Sequence, residues 1–192
     1  MHLGRLDGKQ ISYYEGEDAL LASTGLQYGL IATDIDGDGR KDLLVRKVRM
    51  SFGRVIRALL SGSVPLQLHF YRMTDDDTFA EEANYVTRTN VEFSVSSGQV
   101  DIPAIQVADF DNDGLQDLMM QTEPNELSFQ LGVRNDELFA EDAIRLNVAL
   151  PRNGELVSTE DINGDGRSDL VIRYNESDGN ERSRTVRLML SE

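Results

Sequence analysis

The sequence Asp34-Ile-Asp-Gly-Asp-Gly-Arg-Lys-Asp42 is followed directly by the apolar residues Leu43-Leu44-Val45. The same pattern occurs twice more, at residues 109–117 and 161–169. Positions 1, 3, 5 and 9 of each loop are Asp, except for Asn163 at position 3 of the third loop, and position 6 is always Gly. Three copies in one register indicate a structural unit that is repeated along the chain.

Each position has a physical role if the loop encloses a calcium ion. Calcium takes about 6 to 8 oxygen ligands, which alternate carboxylates of a tightly curled loop can supply. Glycine at position 6 permits the sharp turn, and position 7 contributes a backbone carbonyl, so its side chain can vary. The sequence therefore predicts up to three calcium ions. The predicted ligands are Asp34, Asp36, Asp38, Asp42 and the Arg40 carbonyl; Asp109, Asp111, Asp113, Asp117 and the Leu115 carbonyl; and Asp161, Asn163, Asp165, Asp169 and the Arg167 carbonyl.

Other kinds of Asp-rich loop fit the sequence less well. An EF-hand requires Glu at position 12 followed by a helix, whereas this chain has Val45, Met120 and Ile172 there. Asp and Gly also favour turns for backbone reasons alone, but three copies in register favour the calcium interpretation. Short apolar runs on both sides of each loop are typical of buried strands. Each loop is therefore predicted to be the turn of a β-hairpin.

The spacing of the loops predicts the architecture. Their first Asp residues lie 75 and 52 residues apart (34, 109 and 161), and a period near 50 is typical of propellers and other repeat arrays. Alternating segments between the loops supply further strands, so we expect an all-β fold of about three four-stranded antiparallel blades, which can be part of a larger propeller. The expected repeats within a single propeller-type domain or fragment, residues 1–192, are 1–25 (partial), 26–97, 101–150 and 154–192 (partial).

The loops and their flanking strands resemble the FG-GAP and VCBS-type repeats of bacterial surface proteins and integrin α-subunit propellers. Tyr28-Gly29 lies where that family often has Phe-Gly, and no Gly-Ala-Pro element follows the strands. The resemblance implies propeller blades that bind calcium through the matched Asp residues.

One segment, residues 46–65, interrupts the repeat. Phe52, Val55, Ile56, Leu59 and Leu60 recur there at helical spacing, which predicts an inserted amphipathic helix with Arg54 and Arg57 on its opposite face. Two interpretations remain open. The helix packs its apolar face on neighbouring strands, or it docks a protein partner, an acidic glycan or a membrane surface.

Composition limits the class of protein. The formal charge of -15 argues against nucleic acid as a partner, and the absence of cysteine excludes disulfides and thiolate metal sites. No apolar run is long enough to span a membrane, and residues 1–10 lack the apolar run of a signal peptide. Loops of this chemistry fill where calcium is plentiful, so we expect an extracellular, cell-surface or periplasmic location, with the signal outside this chain.

No established catalytic motif is found in the sequence, which contains only two histidines, His2 and His69. We therefore expect a non-catalytic calcium-binding module for adhesion, recognition or scaffolding, with a protein or glycan ligand. The alternatives are the propeller part of a polysaccharide-active enzyme, or an assembly subunit completed by flanking propeller blades or other chains.

Overall fold

The computed structural model describes residues 4–7, 10–13, 26–49, 51–134 and 137–192. These residues form antiparallel β-sheets with one α-helix, which confirms the expected all-β class and the inserted helix. The strands are β1 (Gly4–Asp7), β2 (Gln10–Tyr13), β3 (Leu26–Thr33), β4 (Asp42–Val48), β5 (Ser63–Tyr71), β6 (Tyr85–Ser94), β7 (Gln99–Asp101), β8 (Ile105–Ala108), β9 (Asp117–Glu123), β10 (Glu126–Gln130), β11 (Ile144–Asn147), β12 (Val157–Glu160), β13 (Asp169–Arg173) and β14 (Val186–Met189). The helix is α1 (Phe52–Ser61), and short 3-10 turns lie at Gly154–Leu156, Glu176–Asp178 and Arg182–Arg184.

Strands that follow one another in the chain pair with one another. The first large sheet has the order β3-β4-β5-β6-β7, the second β8-β9-β10-β11 and the third β12-β13-β14. In each sheet the Asp-rich loop joins the first two strands, so it forms the predicted hairpin turn. A separate hairpin of β1 and β2 precedes them.

The large sheets stack in chain order, and two hydrophobic cores lie between them. A third cluster, of Leu43, Val45 and Tyr71, lies on the outer face of the first sheet. Leu44 and Phe70 of the first sheet pack with Leu118 of the second. The opposite face of the second sheet, which carries Met119, packs with Leu170 of the third. Alternate residues of a strand point to opposite faces. The neighbouring residues Leu118 and Met119 of β9 therefore pack in two different cores.

The first large sheet differs from the expected four strands. After β6 the chain turns at Gly98, whose φ is 68° and whose N–H donates to the Ser94 carbonyl at 2.9 Å. After this turn the chain forms a fifth strand, β7, which pairs with β6. This strand lies beyond residue 97, the expected end of the repeat. Residues 14–25 of the expected first repeat lie outside the described residues.

The helix is shorter than the expected insertion, because β4 continues to Val48 and β5 begins at Ser63. Its apolar face does not pack on the strands as one interpretation required: Phe52 is 83% and Leu60 85% exposed. The reason is that α1 lies beyond the end of the β4–β5 hairpin, away from the Asp-rich loop. Among the described residues, no helix has the length and apolar character needed to cross a membrane.

Candidate metal centres

The three Asp-rich loops share one backbone conformation. Position 6 has a φ of 89° in Gly39, 85° in Gly114 and 88° in Gly166, a left-handed conformation that favours glycine. Position 4 is also left-handed and is occupied by Gly37, Asn112 and Gly164, with φ values of 73°, 63° and 77°. Asn tolerates this conformation better than most other residues. The sequence predicted the turn at position 6 but did not predict the requirement at position 4.

The Asp at position 1 closes each loop. One of its oxygens accepts the N–H of the glycine at position 6: the distances are 2.9 Å for Asp34 with Gly39 and 3.0 Å for Asp109 with Gly114. In the third loop, Asp161 makes the same bond at 3.0 Å. The carboxylate at position 5 accepts the N–H of position 7 in all three loops, at 2.8 to 2.9 Å. These bonds turn the carboxylates toward the centre of each loop.

The Asp at position 9 is fully buried and binds two backbone donors. One oxygen of Asp42, Asp117 and Asp169 accepts the N–H of position 2 in the same loop, at 2.9, 2.8 and 2.9 Å. The other oxygen accepts a distant backbone N–H beyond the third strand of its sheet. These donors are Met73, Gly132 and Ser191, at 2.9, 2.7 and 2.9 Å respectively. Position 9 therefore connects the loop to its own sheet, in addition to its predicted role as a ligand.

Burial makes two of these carboxylates hard to ionise. Burial raises the pKa of Asp117 to about 6, and the nearby Asp111 and Asp109 carboxylates add to this rise. The N–H groups that bind Asp117 act in the opposite direction without cancelling it. The pKa of Asp42 is raised for the same primary reason, its burial. A cation beside these carboxylates would favour their charged form.

Carboxylate oxygens converge in two of the loops. Oxygens of Asp34, Asp36 and Asp42 lie within 4.8 Å of one another, and so do oxygens of Asp109, Asp111 and Asp117. In the third loop, position 3 is the amide Asn163, whose Oδ1 accepts the Asp165 N–H at 3.0 Å. These oxygens could hold a metal ion, and they belong to residues predicted as ligands at positions 1, 3 and 9.

Arginines contact the carboxylates of the first loop. Arg40 Nη2 lies 2.6 Å from Asp38 Oδ2, and Arg72 Nε lies 3.2 Å from Asp36 Oδ2. Arg40 also pairs with Asp75 at 2.9 Å. Arg72 was not among the predicted residues, because it follows β5 and lies far from the loop in sequence. These cations partly neutralise the carboxylates of the first loop.

The loops also contact one another in chain order. The N–H of Gln116, at position 8 of the second loop, donates to the Ile35 carbonyl of the first loop at 3.0 Å. The N–H of Ser168, at position 8 of the third loop, donates to the Asp109 carbonyl of the second at 2.7 Å. Asn112 adds a bond from its Nδ2 to the Asp165 carbonyl at 3.2 Å. The three loops therefore form one continuous edge of the stacked sheets.

No protein-family model, curated protein or solved structure matches this chain. The interpretation of the loops as candidate metal sites therefore rests on the positions of their carboxylate oxygens.

Proposed function

We propose that this chain is a calcium-binding module of β-propeller type in which ions at the three loops stabilise the stacked sheets. The observation that carries this proposal is the convergence of Asp34, Asp36 and Asp42, and of Asp109, Asp111 and Asp117, each within 4.8 Å. The shared backbone of the loops extends the proposal to the third. The resemblance to FG-GAP and VCBS-type repeats, and the stacking of antiparallel sheets in chain order, support blades rather than an unrelated arrangement.

The electrostatics favour a bound cation. Several carboxylates within a few ångströms repel one another, and burial adds to the cost of charging Asp117 and Asp42. A divalent ion offsets both costs at once. Each independent site filled at about 100 times its Kd adds roughly 2.7 kcal/mol to the free energy of unfolding.

The proposed role is adhesion, recognition or scaffolding outside the cytosol. Extracellular calcium modules have dissociation constants of about 10⁻⁴ to 10⁻³ M, so they fill where calcium is millimolar. A structural role also fits the position of the loops, which link each sheet to the next. In this role, calcium makes the surface rigid, and the rigid surface presents a binding site for a protein or glycan.

The test combines thermal unfolding with calorimetric titration of the whole chain. The midpoint of unfolding should rise in calcium relative to chelator, and the titration should give up to three ions per chain. Single Asp38→Ala, Asp113→Ala and Asp165→Ala variants, at position 5 of each loop, should each lose about one ion. Magnesium at the same concentration is the control for ionic strength. An unchanged midpoint together with no heat of binding would refute the proposal.

A further inference from the structure

The described part of the chain leaves the apolar face of α1 uncovered. None of the ten residues of the helix is buried, and the large apolar side chains are all exposed: Phe52, Val55, Ile56, Leu59 and Leu60. A helix of this length is only marginally stable in water by itself, and helices in proteins gain most of their stability by packing an apolar face. The apolar face of α1 is therefore available to a partner.

Backbone hydrogen bonds fix the position of α1 on the first sheet. The Gly62 N–H donates to the Ala58 carbonyl at 2.8 Å, and Gly62 has the left-handed φ of 69° that ends the helix. The Gly62 carbonyl accepts the Phe93 N–H of β6 at 2.7 Å. A Cβ atom at position 62 would lie 2.9 Å from the Phe93 carbonyl oxygen, so this close contact requires glycine. The C-terminal end of α1 is therefore held by β6.

The apolar face of α1 has two edges. Val55 and Leu59 form one edge and line a cavity of about 640 Å³ between α1 and strands β5 and β6. Successive helical residues turn by about 100°, which places Phe52, Ile56 and Leu60 in a row along the other edge. These three residues do not line the cavity. Their edge therefore projects away from the sheet, beyond the end of the β4–β5 hairpin.

The surroundings of α1 are basic in an acidic chain. Residues 43–74 contain no Asp or Glu, and their charged residues are Arg46, Lys47, Arg49, Arg54, Arg57 and Arg72. Four arginines line the cavity beside α1, and no acidic residue does: Arg49, Arg54, Arg57 and Arg88. Among the described residues, none of these four guanidiniums lies within 4.0 Å of a carboxylate. This end of the molecule is therefore complementary to an anionic partner.

The acidic first loop lies at the other end of the first sheet. Asp42 begins β4 at this loop, and α1 follows the opposite end of β4, after Val48. A strand of seven residues is roughly 20 Å long, whereas the Debye length at physiological ionic strength is about 8 Å. The carboxylates of the first loop are therefore screened from the arginines beside α1. The basic end is free to face an anionic surface despite the overall charge of -15.

We propose that α1 and the four arginines beside it bind the surface of an anionic phospholipid bilayer. Helices that lie in a bilayer interface combine an exposed apolar face with a basic polar face, and they bury the apolar face about 5 to 10 Å deep. Phe52, Ile56 and Leu60 supply the inserted edge. Arg54 and Arg57 lie on the opposite side of the helix and reach the lipid phosphates with long, flexible side chains.

The shape of the apolar face favours a bilayer over an acidic peptide. A peptide bound in the cavity would cover Val55 and Leu59 but would leave the edge of Phe52 and Leu60 in water. A bilayer covers a projecting edge without needing a groove to enclose it. This inference goes beyond the calcium proposal and does not depend on it, because α1 lies outside all three loops.

The first test is flotation of the whole chain, in calcium, with two kinds of vesicle. One kind is phosphatidylcholine alone, and the other is phosphatidylcholine and phosphatidylglycerol in equal amounts. Wild type should bind the mixed vesicles, detach as salt is added, and bind the neutral vesicles much less. Arg54→Gln and Arg57→Gln should each weaken binding to the mixed vesicles by about fivefold. Arg187→Gln, at an exposed position of β14, changes the charge equally and should leave binding unchanged.

Leu60→Gln tests the apolar contact without changing the charge. It should weaken binding to the mixed vesicles by about tenfold or more, because the leucine side chain no longer leaves water. Val186→Gln is the matched control, since Val186 is 59% exposed on β14. None of the replaced side chains is buried, so unfolding midpoints close to wild type should show that every variant keeps the fold.

Insertion is measured directly with a fluorescent residue. The chain contains no tryptophan, so Phe52→Trp adds a single reporter on the projecting edge. Its emission should shift to shorter wavelength on the mixed vesicles, and lipids with brominated acyl chains should quench it. Val186→Trp should show neither change.

Three results would overturn the proposal. The first is wild type that does not float with the mixed vesicles. The second is binding that Leu60→Gln and Arg57→Gln retain, since calcium ions at the loops would then bridge to the lipid phosphates. The third is binding of soluble polyglutamate that Arg57→Gln loses, without any binding of vesicles, which would assign the basic end to an acidic protein. Calorimetric titration with calcium is unaffected by these results, so the two proposals fail separately.

Discussion

Asp169 holds the backbone at Ser191, with 2.9 Å between its Oδ1 atom and the serine nitrogen. Its Oδ2 atom accepts the N–H of Ile162 at 2.9 Å, within the third loop. The Ser191 hydroxyl returns to the same loop by donating to the Ser168 carbonyl at 2.6 Å. One buried side chain thus connects the third loop to the chain that leaves β14. This connection does not need a metal ion.

Asp169→Asn should lower the free energy of unfolding by about 1 to 3 kcal/mol in chelator, and by more in calcium, because Asp169 is also a predicted ligand of the third loop. An amide has one acceptor oxygen where the carboxylate has two, so one buried N–H loses its partner. Denaturant unfolding under both conditions measures the change. Asp165→Asn, at the exposed position 5 of the same loop, is the control. It should lower only the part of the free energy of unfolding that depends on calcium. Equal stability of Asp169→Asn and wild type in chelator would contradict the structural role.

The stability of the calcium-free protein should depend on the ionisation of Asp117. Its pKa is raised from 3.8 to about 6 on folding, so the folded state binds a proton more tightly than the unfolded state. The resulting stabilisation is fully present below pH 3.8 and is lost as the pH rises through about 6. Asp117→Asn does not titrate at this position. The stability of wild type relative to this variant should therefore increase as the pH is lowered from neutral toward 4, measured by denaturant unfolding in chelator.

Calcium and the proton should then compete for the second loop. We expect the calcium affinity of this loop to fall as the pH is lowered through about 6, where Asp117 becomes protonated. Calorimetric titration at several pH values in an Asp38→Ala, Asp165→Ala background isolates the second loop. An affinity that is constant from neutral pH to pH 5 would contradict the raised pKa.

The repeated hairpins could be predicted from the sequence because their signals are local. Glycine at position 6 and the apolar residues on both sides of each loop are close in the chain, and the structure uses them as expected. The partners of the position 9 carboxylates could not be predicted in this way. They are backbone N–H groups of Met73, Gly132 and Ser191, which lie 31, 15 and 22 residues away and have no side-chain signature in common.

Helical periodicity predicted where α1 forms but not what covers it. The spacing of Phe52, Val55 and Leu59 defines an apolar face, and such a face is usually buried. Whether it is buried depends on where the flanking strands end, and this is a tertiary property. The contact of Arg72 with Asp36 was missed for the same reason, because it depends on the pairing of β4 with β5.

Arg40→Ala should raise the calcium affinity of the first loop by at most about fivefold. The Arg40 guanidinium lies 2.6 Å from the Asp38 carboxylate, so the ion must displace this exposed ion pair, which solvent screens. The predicted ligand at position 7 is the backbone carbonyl, which the substitution retains. Calorimetric titration in an Asp113→Ala, Asp165→Ala background isolates this loop.

Arg167→Ala is the matched control for Arg40→Ala, because Arg167 occupies position 7 of the third loop. No ion pair within 4.0 Å joins Arg167 to a carboxylate among the described residues, so its loss should change the affinity of the third loop less. A lower affinity in Arg40→Ala would show that the arginine assists the loop rather than competing with calcium.

Asn112→Gly should weaken calcium binding at the third loop while leaving the second loop almost unchanged. Glycine adopts the left-handed φ of 63° at this position, so the turn is kept. The bond from Asn112 Nδ2 to the Asp165 carbonyl is lost, and with it the support for position 5 of the third loop. A net hydrogen bond of about 0.5 to 1.5 kcal/mol corresponds to a roughly two- to tenfold change in affinity. Titration in an Asp38→Ala background resolves the two sites, and an unchanged third site would show that the neighbouring loops bind calcium independently.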